Sequence, residues 1–166
     1  MVMMGRVGTE GVAQGTAGDL AGRLDALFRD EYAPMVRLAF TLIGNEAEAE
    51  ELVQDSFVDV YRHLDGIRRP GAYLRSAVVS RCRSALRRRA VASAAGMSPP
   101  AEVSSSAGEL WDVLARLSEE QRTAVVLRYY GGYRSAEIAR LLEMPAATVR
   151  SHLRRGLAVM RKELEP

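Results

Sequence analysis

No stretch of this chain alternates apolar and polar residues with a period of two. Wherever apolar residues recur they do so three and four positions apart, the spacing of one helix face. A sheet is therefore not expected, and the fold class that follows is all-α. The chain has 166 residues, enough for one domain or two small ones. With 48% apolar and 27% charged residues it has the composition of a chain that folds, with no sign of collagen, a disulfide scaffold or wholesale disorder.

Punctuation along the chain divides the helical pattern. Residues 1–18 are rich in Gly, Ala, Thr and Met without periodicity and read as a flexible tail. A first helical module follows over 19–91. Its opening helix carries Leu20, Leu24, Leu27 and Phe28, and Pro34 is expected in the first turn of a new helix running to Ile43 and stopped by Gly44. Asn45, with Glu48 three residues on, forms a capping-box-like start for a third helix. That helix places Ala49, Leu52, Val53, Phe57, Val60, Tyr61 and Leu64 on its apolar face. Pro70 opens a further helix whose apolar positions are Tyr73, Leu74, Ala77, Val78 and Leu86.

The Pro- and Ser-rich stretch 92–108 reads as a flexible linker. A second module over 109–166 begins with Trp111, Leu114 and Leu117, and Ser118 to Gln121 is a cap signature before Val125, Val126 and Tyr129. Gly131 and Gly132 end that helix, and Ser135 is expected to cap a short one containing Ile138, Ala139 and Leu142. After the turn from Glu143 to Pro145, a last helix buries Val149, Leu153, Leu157, Met160 and Leu164. Two helices joined by a tight turn, the second rich in arginine, make a helix-turn-helix.

Charge is segregated more sharply than the net +2 suggests. From Asn45 to Asp65 there are seven acidic residues against one arginine, and from Gly66 to Ala101 eight arginines and no acid. A bias that makes Lys162 the only lysine explains the choice of arginine over lysine, but not the missing acids. Other chemistries are poorly supplied. Cys82 is the only cysteine, His63 and His152 the only histidines, so neither a disulfide nor a metal-ligand cluster is expected, and no cofactor. No nucleophile-with-base pattern or glycine-rich phosphate loop appears, and Glu50 and Glu51 point apart on a helix, which argues against an enzyme or a small-molecule substrate. No apolar run approaches the roughly 18 residues of a membrane span, and no signal-peptide pattern opens the chain, so a cytoplasmic protein is expected.

In the last helix Arg150 and Arg154 share one line, Ser151 and Arg155 the next, all off the apolar seam. Such a face suits the DNA major groove, where arginine donates two hydrogen bonds to guanine, though charge alone fits a solvated helix face equally well.

The chain resembles the extracytoplasmic-function class of bacterial sigma factors over Leu24 to Glu163, apart from the linker. Residues 48–61, EAEELVQDSFVDVY, are similar to the family's polymerase-binding helix, and residues 134–159, RSAEIARLLEMPAATVRSHLRRGLAV, to its promoter-reading helix-turn-helix. The resemblance implies core RNA polymerase as partner, with the coiled coil of its largest subunit docking on Glu51, Leu52, Gln54, Asp55 and Phe57. Leu52 and Phe57 also fit a plain core role. It implies capture of the minus-10 promoter element by the loop and basic helix, through Arg68, Arg69, Tyr73, Arg75, Ser80, Arg81 and Arg83. Tyr61 or Tyr73 would stack on bases or, equally, pack between helices. Ser80 and Ser84 depart from the Asn and Asp that many members carry there. The minus-35 contacts fall on Thr148, Arg150, Ser151, His152, Arg154 and Arg155. An anti-sigma protein is implied as regulator, and the linker would thread the polymerase channels. The competing reading is a stand-alone helix-turn-helix regulator with an N-terminal interaction domain.

Overall fold

In a computed structural model of the chain, residues 10–96 and 108–164 are described, with side chains from Gly18 onward. Seven α-helices and no strand are present among these residues. They are α1 (Glu10–Ile43), α2 (Glu46–His63), α3 (Pro70–Ala94), α4 (Gly108–Ala115), α5 (Glu119–Val125), α6 (Ser135–Leu141) and α7 (Ala146–Leu164).

Helix α1 differs from the sequence expectation in its start and in its continuity. It begins at Glu10, inside the stretch expected as a tail, and it runs through Pro34 without a break for 34 residues. Proline removes the hydrogen bond to the carbonyl four residues back, at a cost of about 3 kcal/mol in a helix interior. Burial on both sides of it is larger. Met35, Leu38, Ala39 and Leu42 beyond the proline are in the core, and Leu24, Leu27 and Tyr32 before it pack on the same core. Each large apolar side chain so buried is worth about 1.5–3 kcal/mol. Residues 1–9 and 97–107, half of the expected tail and most of the expected linker, lie outside the described residues; Ala92–Ala94 belong to the end of α3.

Helices α1, α2 and α3 pack mutually. Leu42, Ile43, Val53, Val60, Leu74, Val78 and Val79 are the fully enclosed centre of this first module. Asn45 caps α2 as expected, accepting from the Glu48 N–H at 2.9 Å. The Glu48 carboxylate pairs with Arg89 of α3.

In the second module the Ser118 hydroxyl and the Gln121 side chain exchange bonds with each other's backbone, the expected capping box of α5. The chain then winds into a wider π turn, Val126–Tyr130, closed by the Gly131 N–H on the Val126 carbonyl at 2.9 Å. Arg134 rather than Ser135 stands at the N-cap of α6, and the Glu137 carboxylate accepts from its N–H at 2.6 Å. Glu143 takes a left-handed conformation (φ 52°) and the Met144 N–H bonds to the Ala139 carbonyl, which turns the chain into α7. Helix α7 lies so close to α5 that a Cβ at the buried Gly156 would come within 2.9 Å of Val125 Cγ2. Leu164, expected in the core, is exposed at the end of α7, and Leu157 and Met160 are half-buried.

Candidate nucleic-acid and polymerase interfaces

Helix α7 buries Val149, Leu153 and Gly156 against the rest of the second module. That seam turns Arg150, Arg154 and Arg155 fully outward, with Thr148, Ser151 and His152 half-buried beside them. None of the three arginines has an ion pair among the described residues, so their guanidinium forks are available. At the edge of this face His152 lies within electrostatic reach of Glu120. The Glu120 carboxyl is held below its ordinary pKa by its backbone hydrogen bond at the start of α5, with Ser118, His152 and Arg83 acting in the same direction.

The basic helix α3 is built differently. Several of its arginines are spent inside the first module: Arg75 on Glu31 at 2.6 Å, Arg81 on Asp59, and Arg89 on both Glu48 and the Ile43 carbonyl, the latter at 2.8 Å. Burial alone would lower Arg75, but the hydrogen bond and charge of Glu31 hold its pKa above the ordinary value. Arg68 and Arg69, in the loop before α3, and Arg87 and Arg88, on its far half, stay exposed, and Arg83 is half-buried. The same pairing thins the acidic face of α2. Glu48 and Asp59 turn toward α3, while Glu46, Glu50, Glu51 and Asp55 remain in solvent.

Tyr61 and Tyr73, each read as stacking or packing, are 65% and 40% exposed. Tyr61 therefore does not belong to the apolar face of α2. Tyr73, Ser80 and Arg81 line one hollow of about 310 Å³ with Asp59, Ser76 and Ala77. Ser80 and Arg81 also wall a second hollow, of about 330 Å³, with Leu52, Asp55, Ser84 and Arg88. Arg68 and Arg69 line neither.

Of the residues expected to face polymerase, Glu51, Gln54 and Asp55 are exposed, while Leu52 and Phe57 are buried in the core of the first module. Phe57 packs on Phe28 (centroids 5.1 Å apart) and on Tyr32 (6.1 Å), and Gln54 Nε2 donates to the Tyr32 hydroxyl at 3.5 Å. Phe28 is 46% exposed and stacks on Tyr32, Gln54's partner. The sequence carried no signal for this patch, because Phe28 and Phe57 approach only through the packing of α1 on α2.

Residues 27–91 match the family model for sigma-70 region 2, and residues 107–160 that for sigma-70 region 4. The chain belongs to the extracytoplasmic-function (ECF) sigma factors of the sigma-70 family. It is 32% identical over 166 aligned positions to the ECF RNA polymerase sigma factor SigL of Mycobacterium tuberculosis, covering 91% of this chain and 94% of that one. To the RNA polymerase sigma-E factor of Streptomyces avermitilis it is 34% identical, over 79% of each chain. Two solved structures share the fold. One is the sigma factor RpoE in complex with the anti-sigma factor NepR from Bartonella quintana, with TM-score 0.63 and 21% identity, covering 91% of this chain and 97% of that one. The other is CnrH in complex with the cytosolic domain of CnrY, with TM-score 0.64 and 22% identity, over 92% and 93%. As an ECF sigma factor, the chain directs transcription to promoters.

Proposed function

We propose that the chain does so by binding core RNA polymerase through the outward face of α2 and reading two promoter elements with its two modules. Glu51, Gln54 and Asp55 meet the coiled coil of the largest subunit, stiffened from beneath by Leu52 and Phe57. Arg150, Arg154 and Arg155 enter the major groove of the minus-35 duplex, with Thr148, Ser151 and His152 at the margins. Arginine's fork matches the two acceptors of guanine, and each bidentate contact discriminates by about 1–3 kcal/mol.

At the minus-10 element, single-stranded capture needs cations along a backbone and a plane or hollow for an extruded base. Exposed Arg68 and Arg69 suit the phosphates. Tyr73, with Ser80 and Arg81 in the adjoining hollow, suits the base. Arg75 is given a structural role, since its guanidinium is held by Glu31. The chain catalyses no reaction itself and acts in the cytoplasm; no described helix is long and apolar enough to cross a membrane. An anti-sigma protein is proposed as its regulator, by analogy with the two complexes above.

The observation that carries this reading is the pairing of two independently matched modules in one chain, the second presenting three unpaired arginines on one helix face. A stand-alone regulator would need only the second. The test is run-off transcription from a promoter library by sigma-free core enzyme, with and without the protein. Sequence-selective transcripts lost on changing Glu51 and Asp55 are expected. Duplex binding by the protein alone, with no transcript and no association with core enzyme, would favour the regulator.

A further inference from the structure

Three hollows follow one another along α3. The first, beside Tyr73, shares Ser80 and Arg81 with the second, and the second shares Ser84 and Arg88 with a third of about 610 Å³ near the end of the helix. The first two are walled by α2 as well as α3: Asp59 lines one, and Leu52 and Asp55 the other. The third is walled by α3 alone, through Ser84, Arg87, Arg88, Val91, Ala92 and Ala95.

Helix geometry makes the third hollow a cradle. Val91 lies four residues after Arg87 and three after Arg88, and Ser84 three before Arg87 and four before Arg88, so the two arginine stems flank one line from Ser84 to Val91. Val91 is 68% exposed, and Ala92 and Ala95 continue the floor with side chains too short to hold another backbone at a distance. Arg87 and Arg88 are exposed and form no ion pair among the described residues, although Arg87 lies in the field of Glu119 of α5. No acid occurs from Gly66 to Ala101. An apolar floor between two unpaired cations suits a polyanion whose charges are strung along an apolar backbone. A protein helix would find little to grip, since Val91 is the one large apolar side chain of the floor.

We propose that this cradle binds the sugar-phosphate backbone of duplex DNA immediately upstream of the minus-10 element, with Arg87 and Arg88 each on a phosphate and Val91 against the deoxyribose between them. The proposal rests on reading α3 as the minus-10 helix. Chain order sets the direction: α3 leads into the module read as binding the minus-35 element, so its far end lies toward that element. From Arg81 to Ala95 the helix advances about 21 Å at 1.5 Å per residue, the length of about six base pairs at 3.4 Å. Contacts of this kind carry no base sequence. They hold the duplex in register where strand opening begins.

The experiment uses the full chain bound to core RNA polymerase and a labelled promoter fragment, with affinity read by fluorescence anisotropy between about 50 and 200 mM salt. Arg87→Gln with Arg88→Gln should bind more weakly and flatten the plot of log affinity against log salt by about two, so that the wild-type advantage shrinks roughly tenfold across that range. Arg87→Lys with Arg88→Lys should keep the wild-type slope, because a phosphate is served by a point charge. Uncharged methylphosphonates in the roughly six base pairs upstream of the minus-10 element should weaken the wild type and leave the glutamine variant unchanged. Melting curves establish that each variant is folded.

A glutamine variant with the wild-type salt slope would overturn the cradle, as would equal sensitivity of both proteins to the methylphosphonates. Failure of the lysine variant would mean that the forks read bases, and would overturn the backbone contact. An unaltered slope with weaker association of the glutamine variant with core enzyme would assign the cradle to a protein surface instead. Run-off transcription, measured in parallel, separates the two readings. Selective transcripts from wild type with an unaltered slope in the variant remove the cradle and keep the promoter assignment. No selective transcript from wild type removes the promoter assignment itself.

Discussion

Helices α3 and α7 are both rich in arginine, yet they use it in opposite ways. In α7 the buried seam of Val149, Leu153 and Gly156 leaves Arg150, Arg154 and Arg155 outward and without acidic partners among the described residues. In α3, Arg75, Arg81 and Arg89 reach back to Glu31, Asp59 and Glu48 and tie the helix to α1 and α2. The difference is topological. Helix α7 packs its seam on α5, whose Glu119 and Glu120 form no ion pair with its arginines among the described residues, whereas α3 lies against the acidic α2. An arginine count in sequence therefore measures a binding surface in one helix and partly a scaffold in the other.

The comparison is broken most directly at α7. Arg150→Ala with Arg155→Ala should reduce transcription from a cognate promoter by about a hundredfold, taking each as one bidentate contact, and leave the melting temperature unchanged. Run-off assays and thermal melts on the same preparations check both halves. Unchanged transcription would reduce α7 to a solvated helix.

At α3 the expected loss moves from function to stability. Arg89→Ala removes a partner from Glu48 and leaves the Ile43 carbonyl without its bond, on a side chain about three-quarters shielded from solvent. The cost is about 1–3 kcal/mol, as for other hydrogen bonds to charged groups, read as a shift in the denaturant midpoint. Arg81→Ala should cost less, under about 1 kcal/mol, because its main-chain contact, to the Asp55 carbonyl, is long at 3.5 Å where Arg89 reaches the Ile43 carbonyl at 2.8 Å. Its effect on transcription should exceed its effect on stability, since Arg81 lines both hollows proposed for base capture. If Arg81→Ala melted early and transcribed normally, the hollows would lose their assigned role.

How legible this was in the sequence follows the same division. Helices, caps and the helix-turn-helix were readable, because Asn45, Ser118 and the turn at Glu143 act locally. The placement of Pro34 was not, since a local penalty was overridden by burial on both sides of it. Tyr61 and Tyr73 have aromatic bodies that suit a core and hydroxyls that suit water, so spacing alone left both roles open. For Arg75, Arg81 and Arg89, deciding between surface and scaffold needs partners 44, 22 and 41 residues away. Trp111 and Arg122 read as ordinary module residues, and the indole's place over Gly44 and the Arg122 bond to the Leu42 carbonyl emerge only when the modules meet.

The smallest expected effect lies on the inner side of α3, where Cys82 faces the core. Burial raises its thiol to about 12, with the charge of Glu48 adding to the rise and its own backbone bond and Arg89 opposing it. The folded state thus holds a proton that the unfolded chain, with a thiol pKa near 8.5, gives up earlier. The stability this contributes is fully present below about pH 8.5 and is lost as pH rises toward 12. Two outcomes follow. At pH 8 iodoacetamide should leave folded protein unmodified and alkylate it fully in denaturant, because the thiolate is the reactive form. Between pH 9 and 11 the wild type should lose stability faster than Cys82→Ala, although the alanine variant starts lower for the cavity it creates. Rapid alkylation of folded protein at pH 8 would mean that α3 opens from the core readily, and that its arginine pairs do not hold it as a scaffold.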